Sequence, residues 1–294
     1  MKRKLRSVKV LLFLFSFFVL NVSAQRPQHE FSVYGEGGYS AFVIQKPVSK
    51  ATSAGFSVGL GVGFTGFINQ NWGIHTGAGF GFFNVKNGVN KLPFITPGLI
   101  DCEGYLFDLH TTLNYYSERH KTMFVNIPLL VQYQTKMQPI SNYNKNKAGF
   151  YVMAGAKALF MMDNRHTTEI TSLHNDAYYP EFDNWITSQP FLGLGTFKGN
   201  TVEGALKFNM LAMFAFETGL KWQIGKKLFL YTGAYFDCGL HNTMKKSRVP
   251  YSSFIFQETL ADLTLLDFSK NKNLMTIGIR VRLAFGTTKA KRGC

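Results

Sequence analysis

The chain is short of cysteine, proline and acidic residues. Its three cysteines form no CxxC pair and no metal-ligand spacing, which excludes a disulfide-rich scaffold and predicts no metal site. Nine prolines in 294 residues leave room for many uninterrupted strands. Lysine and arginine number 32 against 17 aspartate and glutamate, which gives a formal net charge of +15. Such a charge often marks nucleic-acid binding. The export signal described next argues against a nucleic-acid partner.

Long apolar runs are also absent after the N-terminus. Residues 1–24 have the organisation of a secretion signal: a cationic start, an apolar run over 10–20 and small residues at 22–24. The run is shorter than the ~20 residues of a membrane-spanning helix. We therefore predict a cleaved signal peptide over 1–24 and a single domain over 25–294. An uncleaved membrane anchor is the alternative.

What the chain does have is alternation of apolar and polar residues, which is typical of strands with two different faces. The clearest case ends the chain: Ile277, Ile279 and Val281 alternate with Arg280 and Arg282. Slipping this strand by one residue would put both arginines on the apolar face. The predicted strands lie at about 31–43, 55–67, 72–85, 122–135, 149–162, 208–223, 228–240 and 274–285.

The connections between these strands alternate between long and short. Short links at 68–71 and 224–227 contrast with long ones at 86–121 and 163–207. Bacterial outer-membrane barrels have short periplasmic turns, long extracellular loops and an even number of strands. The pattern therefore predicts an all-β fold: an antiparallel transmembrane β-barrel of eight strands, located in the bacterial outer membrane and surrounded by its lipid.

One segment complicates the number of strands. Residues 105–115 alternate as well, although they fall within the long loop 86–121. We expect this segment to extend a neighbouring strand above the membrane. A ten-stranded barrel, with its missing strand drawn from 163–207, is the alternative.

Charged residues alternate with the apolar ones and are expected to point into the barrel. The interior of an eight-stranded barrel is just filled by side chains, and buried charges must pair. We therefore predict a lumen filled by an ion-pair network, with a narrow polar path for ions or a ligand as the alternative. The predicted lumen set is Glu36, His75, Lys157, Glu217, Lys221, Asp237, Arg280 and Arg282.

Catalytic chemistry finds little support in the sequence. His75 has only Gly73 and Gly77 beside it on its face of the predicted strand, so it lacks a nucleophile–base arrangement. Asp108 and His110 could align an acid with an imidazole, but this spacing is common. We predict no catalytic residues, no enzyme activity and no cofactor.

The long loop 163–207 is the best candidate for partner recognition. It is rich in acids and carries aromatic side chains, which make good binding surface on a rigid scaffold. Packing of these rings against one another and the barrel rim is the alternative. The possible binding surface comprises Tyr178, Tyr179, Phe182, Trp185 and Phe191. Cys102 and Cys238 could meet near the outer rim as a disulfide, and two free thiols are the simpler expectation.

One strand carries a recognisable motif. Residues 124–133, with Ile127, Pro128, Leu129 and Leu130 at their centre, resemble the "IPLL" strand of the PorT-like family of Bacteroidetes outer-membrane barrels. The resemblance implies the barrel fold and a place in the cell envelope, without implying one function. Because proline removes a ladder donor, we expect a local bulge at Pro128.

Three functions stay open on the sequence. The first is a non-enzymatic outer-membrane barrel whose extracellular loops have structural or binding roles. The second is a PorT-like subunit of an envelope secretion or assembly machine, with a protein partner. The third, which we favour least, is a membrane-embedded lipid or peptide hydrolase.

Overall fold

A computed structural model describes residues 29–44, 52–141, 144–199, 201–205, 210–241 and 272–287. The predicted signal peptide and its cleavage site lie outside these ranges. The strands are β1 His29–Ile44, β2 Thr52–Phe67, β3 Trp72–Ile100, β4 Leu106–Gln134, β5 Gln138–Ser141, β6 Asn144–Glu169, β7 Ser172–Tyr179, β8 Asn184–Ile186, β9 Gly195–Lys198, β10 Thr201–Ala205, β11 Leu211–Gln223, β12 Leu228–Gly239 and β13 Lys272–Thr287. A single 3-10 turn, Pro190–Leu192, is the only helical segment in these ranges. No helix among them is long and apolar enough to cross a membrane.

Eight of the strands close into a ring. The order is β1, β2, β3, β4, β6, β11, β12, β13 and back to β1, and every pairing is antiparallel. The last and first strands pair along their whole length, from His29 opposite Thr287 to Ile44 opposite Lys272. The predicted eight-stranded antiparallel barrel is confirmed, and the ten-stranded alternative is wrong.

The two faces of the ring strands differ as the alternation predicts. Inward residues such as Ser57 are buried, while the outward neighbours of Ser57, which are Phe56 and Val58, are apolar and exposed. Exposed apolar side chains surround the ring; they include Phe31, Val33, Phe56, Val58, Leu60, Val62, Trp72, Ile74, Phe80, Met123, Ile127, Leu129, Val131, Phe150, Phe160, Phe214, Leu220, Ile277, Ile279 and Val281. Exposed apolar surface of this extent marks contact with an apolar environment or a partner.

Three ring strands continue far beyond the others, which corrects the predicted bounds. β3 and β4 have 29 residues each and β6 has 26, against about 9–11 needed to cross a bilayer. The predicted loops 86–121 and 163–207 are therefore largely strands, and 105–115 does extend its neighbour. We call the described residues of 86–121 and 165–205 the arm. The ring's opposite end, with the short links 68–71 and 224–227, is the turn end.

Apart from 105–115, the arm was not predicted, because it lacks the barrel's sequence pattern. Among the described residues, β2 pairs with β3 only as far as Gly88, and the rest of β3 pairs with β4 alone. An edge strand tolerates proline, and Pro93 and Pro97 lie in this part. Two prolines with neighbouring glycines look like a loop in the sequence, although the strand continues through them.

The bulge lies elsewhere than predicted. The register of β3 against β4 is the same on both sides of Pro128, so the expected bulge there is wrong. The Thr76 hydroxyl donates instead to the Pro128 carbonyl at 3.0 Å. The register of β4 against β6 shifts between Thr122 and Phe124, at the base of the arm. As a result the inward-facing residues of β6 have odd numbers below the shift, as Lys157 does, and even numbers above it, as His166 does.

Candidate functional site

The middle of the barrel lumen is held by two arginines and two glutamates. Arg280 binds Glu36, with Nε donating to Oε2 at 2.8 Å, and also pairs with Glu217. Arg282 Nη2 donates to the other oxygen of Glu217 at 2.7 Å. These side chains are almost completely buried, so each charge depends on its partners rather than on water.

Below this layer, towards the turn end, Lys221 forms a second group. Its ammonium donates to Glu30 Oε1 at 2.6 Å and to Gln134 Oε1 at 2.9 Å. The Tyr231 hydroxyl donates to the second oxygen of Glu30 at 2.5 Å. The rings of Phe67 and Phe229 flank the ammonium at 5.1 and 4.4 Å from their centroids. Glu30 was missed in the sequence because the predicted strand began one residue later, although its even number matches the parity of the inward face.

Above the arginines, towards the arm, Lys157 pairs with Asp237. The Ser40 and Thr276 hydroxyls lie 3.0 Å apart and hydrogen-bond at the same end of the barrel. The lumen residues predicted from the sequence thus all point inward, and the charged ones are in contact with an opposite charge. Four buried acids, with Glu30 included, face four buried cations, so the described lumen charges balance.

His75 is the remaining predicted lumen residue. Its Nδ1 lies 2.9 Å from the Thr65 hydroxyl and 3.4 Å from Arg282 Nη1. Because an arginine can only donate, Nδ1 acts as the acceptor in this contact. The imidazole and the threonine are both buried, at 3% and 2% exposed. A substrate cannot reach this pair, so the geometry suits a structural histidine rather than a catalytic one.

Aromatic rings and small residues fill the space around the charges. Tyr34 lies at 5.1 Å from the Arg280 guanidinium, and its hydroxyl donates to Asn126 at 3.3 Å. A Cβ at Gly61 would lie 2.4 Å from the Tyr34 ring, and one at Gly79 would lie 2.3 Å from its hydroxyl. The lumen glycines therefore provide the room that this ring occupies.

An apolar layer closes the lumen where the arm begins. It is a cluster of buried side chains: Phe42, Phe83, Val85, Phe124, Leu159, Leu211, Met213 and Leu274. Beneath it a cavity of about 20 Å³ touches Glu36, Lys157 and Asp237. That volume holds about one water molecule. Within the described residues the middle of the lumen is thus a core of paired charges and rings, with an apolar layer above it.

The arm has a second set of buried polar groups that the sequence did not indicate. Glu118 and His120 on β4 are fully buried, with His120 Nε2 3.4 Å from Glu118 Oε1. Asn87 lies opposite Glu118 on β3, and His166 lies opposite His120 on β6. The signal for these residues is that the even-numbered positions of β4 face inward, and this pattern continues unbroken from Asn126 back to Tyr116. In the part of the chain that the structure describes, no three His, Cys, Asp or Glu side chains come together as a metal site.

The predicted aromatic surface lies on strands and turns rather than on a loop, which corrects its setting. Tyr178 and Tyr179 are in β7, Trp185 is in β8, Phe182 is in the turn between them and Phe191 is in the 3-10 turn. Trp185 lies between two rings, with centroids 4.9 Å from Tyr178 and 4.6 Å from His110 on β4. Phe182 and Tyr105 meet edge to face at 5.0 Å. These rings pack on one another and are still partly exposed.

The remaining two aromatics divide between packing and exposure. Tyr179 stacks on Phe107 with the ring centroids 5.4 Å apart, on the other face of the sheet. Phe191 is 81% exposed. Of the five predicted aromatics, Trp185, Phe182 and Phe191 are therefore the accessible ones.

Asp101 organises the tip of the arm. Its Oδ1 accepts from the backbone N–H of Tyr105 at 2.9 Å and of Glu103 at 3.0 Å. The Tyr179 hydroxyl donates to Oδ2 at 3.2 Å. These hydrogen bonds, that of the Tyr105 N–H above all, lower the pKa of the Asp101 carboxyl below its ordinary value of 3.8. The neighbouring Cys102 is a free thiol, as is Cys238.

No family model matches the chain, and no curated protein matches it. The PorT-like resemblance of residues 124–133 therefore stays a prediction. Solved structures similar to the chain include the outer membrane protein OprG from Pseudomonas aeruginosa, at 12% identity and a TM-score of 0.34, covering 90% of this chain and 96% of that one. Neisserial surface protein A is similar at 10% identity and a TM-score of 0.32, covering 89% of this chain and 100% of that one. At these TM-scores, the barrel assignment rests on the strand pairing of the chain itself.

Proposed function

We propose that the chain is a non-enzymatic barrel of the bacterial outer membrane that holds an extended β-sheet arm outside the cell. The exposed apolar side chains of the ring would face lipid, because closed barrels satisfy every backbone hydrogen bond inside a bilayer. The short links at the turn end would lie in the periplasm. The observation that carries the proposal is the packed, charge-balanced lumen, which leaves the arm as the accessible part of the molecule.

The filled lumen supports a structural role for the barrel rather than transport. An eight-stranded ring is just wide enough for side chains to fill it. Here paired charges occupy the middle, and the apolar layer around Phe83 and Phe124 covers them. Such an interior would stiffen the barrel and give the arm a rigid base.

The arm supports binding of a partner protein. Trp185, Phe182 and Phe191 are each about half exposed or more. Their segments attach through β7 to β4, a strand that continues from the barrel wall. Tryptophan and other large aromatics dominate the binding energy of many interfaces. Rigid presentation lowers the ordering cost of binding.

Bilayer conductance tests the lumen. The purified protein inserted into a planar bilayer is expected to give no steady single-channel current at 100 mV. Its insertion is checked separately by heat-modifiable migration on gels, in which the unheated folded barrel runs differently from the heated chain. Large, steady currents from inserted protein would contradict the filled lumen.

A second candidate is a subunit of an envelope secretion or assembly machine, as the PorT-like resemblance implies. The observation in its favour is the exposed basic turn end, where Lys136, Lys226 and Lys227 could meet an acidic periplasmic partner. Gentle detergent extraction followed by mass measurement separates the two candidates. A monomer without a co-purifying protein would contradict the machine subunit, and a stoichiometric complex that K136Q/K226Q/K227Q loses would support it.

A further inference from the structure

The outward face at the base of the arm carries a compact group of cations. Lys86 on β3 lies directly opposite Arg119 on β4 in the strand register. Two residues along β4, Lys121 lies opposite Asn84 on β3 and opposite Arg165 on β6. Lys86, Arg119 and Lys121 are all exposed. We call these three residues the cation group.

This arrangement is unfavourable for the protein alone. Like charges directly opposite each other on neighbouring strands are destabilising. Among the described outward side chains, the nearest carboxylates are Glu169 and Glu203. Glu169 pairs with Ser117, which lies two residues further from the ring than Arg119. Glu203 pairs with Thr167 on β6. No described carboxylate lies directly opposite a member of the cation group, so an external anion would relieve the repulsion.

The position along the strands indicates the source of that anion. Phe82 and Met123 face each other on the outward surface just before Asn84 and Lys121. They are the last apolar residues of the band on these two strands, and Met162 on β6, 63% exposed, lies at the same end. The outward face therefore changes from apolar to cationic within two residues. If the band lies in lipid, the cation group lies at the level of the lipid headgroups.

We propose that Lys86, Arg119 and Lys121 bind the phosphate groups of a phosphorylated glycolipid in the outer leaflet. The inference rests on the proposed function, because it needs the ring in the membrane and the arm outside. Arginine binds phosphate through paired N–H donors, and lysine acts as a point charge. Three cations spread over two strands match a headgroup with more than one phosphate better than a single small anion. Acyl chains below would lie against Phe82 and Met123.

Native mass spectrometry of the full protein in a neutral detergent tests the proposal, with diphosphoryl lipid A as the probe. The wild-type protein is expected to bind the lipid, and the variant K86Q/R119Q/K121Q to bind it at least about tenfold more weakly. The matched control K136Q/K226Q/K227Q removes three exposed cations at the turn end, and it is expected to bind within about twofold of wild type. Rising salt is expected to weaken binding of wild type more than of the first variant.

Two further measurements identify the anion. Removal of the phosphates from lipid A is expected to abolish most of its binding to the protein. Inorganic pyrophosphate at equal concentration is expected to leave the bound lipid in place. Equal binding by the two charge variants would overturn the proposal, and so would full displacement by pyrophosphate. Heat-modifiable migration of each variant is measured in parallel. Loss of that migration in the wild-type protein would count against the proposed function, whereas normal migration with equal lipid binding counts against this inference alone.

Discussion

The barrel and the arm are built from the same strands, yet they use their outward faces differently. Along β4, Ile127 and Leu129 are exposed apolar residues on the ring, whereas Lys121 and Arg119 occupy the same face at the base of the arm. The backbone pairing continues through both regions. The length of a strand and the environment around it are therefore determined by different features of this chain. Pairing sets where a strand ends, and outward residue type sets what surrounds it.

The lumen and the arm also differ in how accessible their side-chain groups are. In the lumen, Glu217 and its two arginines are buried and neutralise one another. In the arm, Tyr178, Trp185 and His110 pack as a row of rings that stays partly open to solvent. Buried charges hold the barrel in one arrangement, whereas exposed rings remain available to a partner. Substitutions in the two regions should therefore affect different measurements.

Glu217→Gln is expected to have the largest effect on stability. It leaves Arg280 with only Glu36 and leaves Arg282 without a carboxylate in its described surroundings. Breaking a buried pair on one side typically costs about 3–5 kcal/mol. Urea unfolding in detergent, followed by heat-modifiable migration, measures the loss. Glu181→Gln removes an exposed acid and serves as the control. An unchanged midpoint for Glu217→Gln would mean that water reaches the lumen arginines.

A smaller effect is expected from filling the space around Tyr34. In Gly61→Ala the new Cβ would meet the Tyr34 ring at 2.4 Å, so the ring must move within a packed interior. Overpacking of this kind costs about 1–3 kcal/mol. Gly66→Ala is the matched control, because its nearest contact would be an ordinary 3.6 Å. Equal unfolding midpoints for both variants would show that the lumen is loosely filled.

The order of the arm tip should depend on pH through Asp101. The pKa of Asp101 is below its ordinary value of 3.8, chiefly through the Tyr105 N–H, so its contribution to tip order is present above about pH 4 and lost as the pH falls through the lowered pKa. Carboxyl NMR titration is expected to give a midpoint below 3.8. Tyr179→Phe removes one hydrogen bond and should raise that midpoint. A Tyr179→Phe titration identical to wild type would mean that the hydroxyl contact does not form.

Trp185→Ala is expected to have the smallest effect on stability and the clearest effect on partner binding. The side chain is 48% exposed, and its ring contacts lie far from the barrel core, so the unfolding free energy should change by less than about 1 kcal/mol. Co-purification after mild extraction measures retention of a partner. Phe216→Ala, an outward ring residue, controls for loss of apolar surface. Unchanged retention of a partner by Trp185→Ala would remove this row from the interface.

The barrel could be predicted from the sequence because the alternation is forced on each ring strand by two unlike environments. Arg280 and Arg282 between Ile279, Val281 and Leu283 allow only one facing direction. The lumen charges followed from the same alternation. Glu30 was lost only because strand ends are set by pairing, and pairing is not visible in one strand alone.

Apart from the alternation of 105–115, the arm could not be predicted for a physical reason. Its buried face mixes apolar side chains such as Val89 and Leu113 with the polar Glu118 and His120, so polarity does not separate its two faces as it does in the ring. Its edge strand also tolerates Pro93 and Pro97, which suggest a loop. The register shift near Thr122 then reverses which residues of β6 point inward. None of these features leaves a local signature that a sequence pattern can detect.

The position of the arginines has a consequence for how the barrel is assembled. Both lie on β13, the strand that pairs with β1 to close the ring, and their glutamates lie on strands to either side, Glu36 on β1 and Glu217 on β11. While the seam between β13 and β1 is open, Glu36 lies apart from Arg280, whereas Glu217 is on the same side of the seam as both arginines. Closure therefore completes the neutralisation of Arg280, and a closing strand offset by one residue would turn both arginines towards lipid. The lumen charges on β13 therefore favour its correct register against β1 when the ring closes.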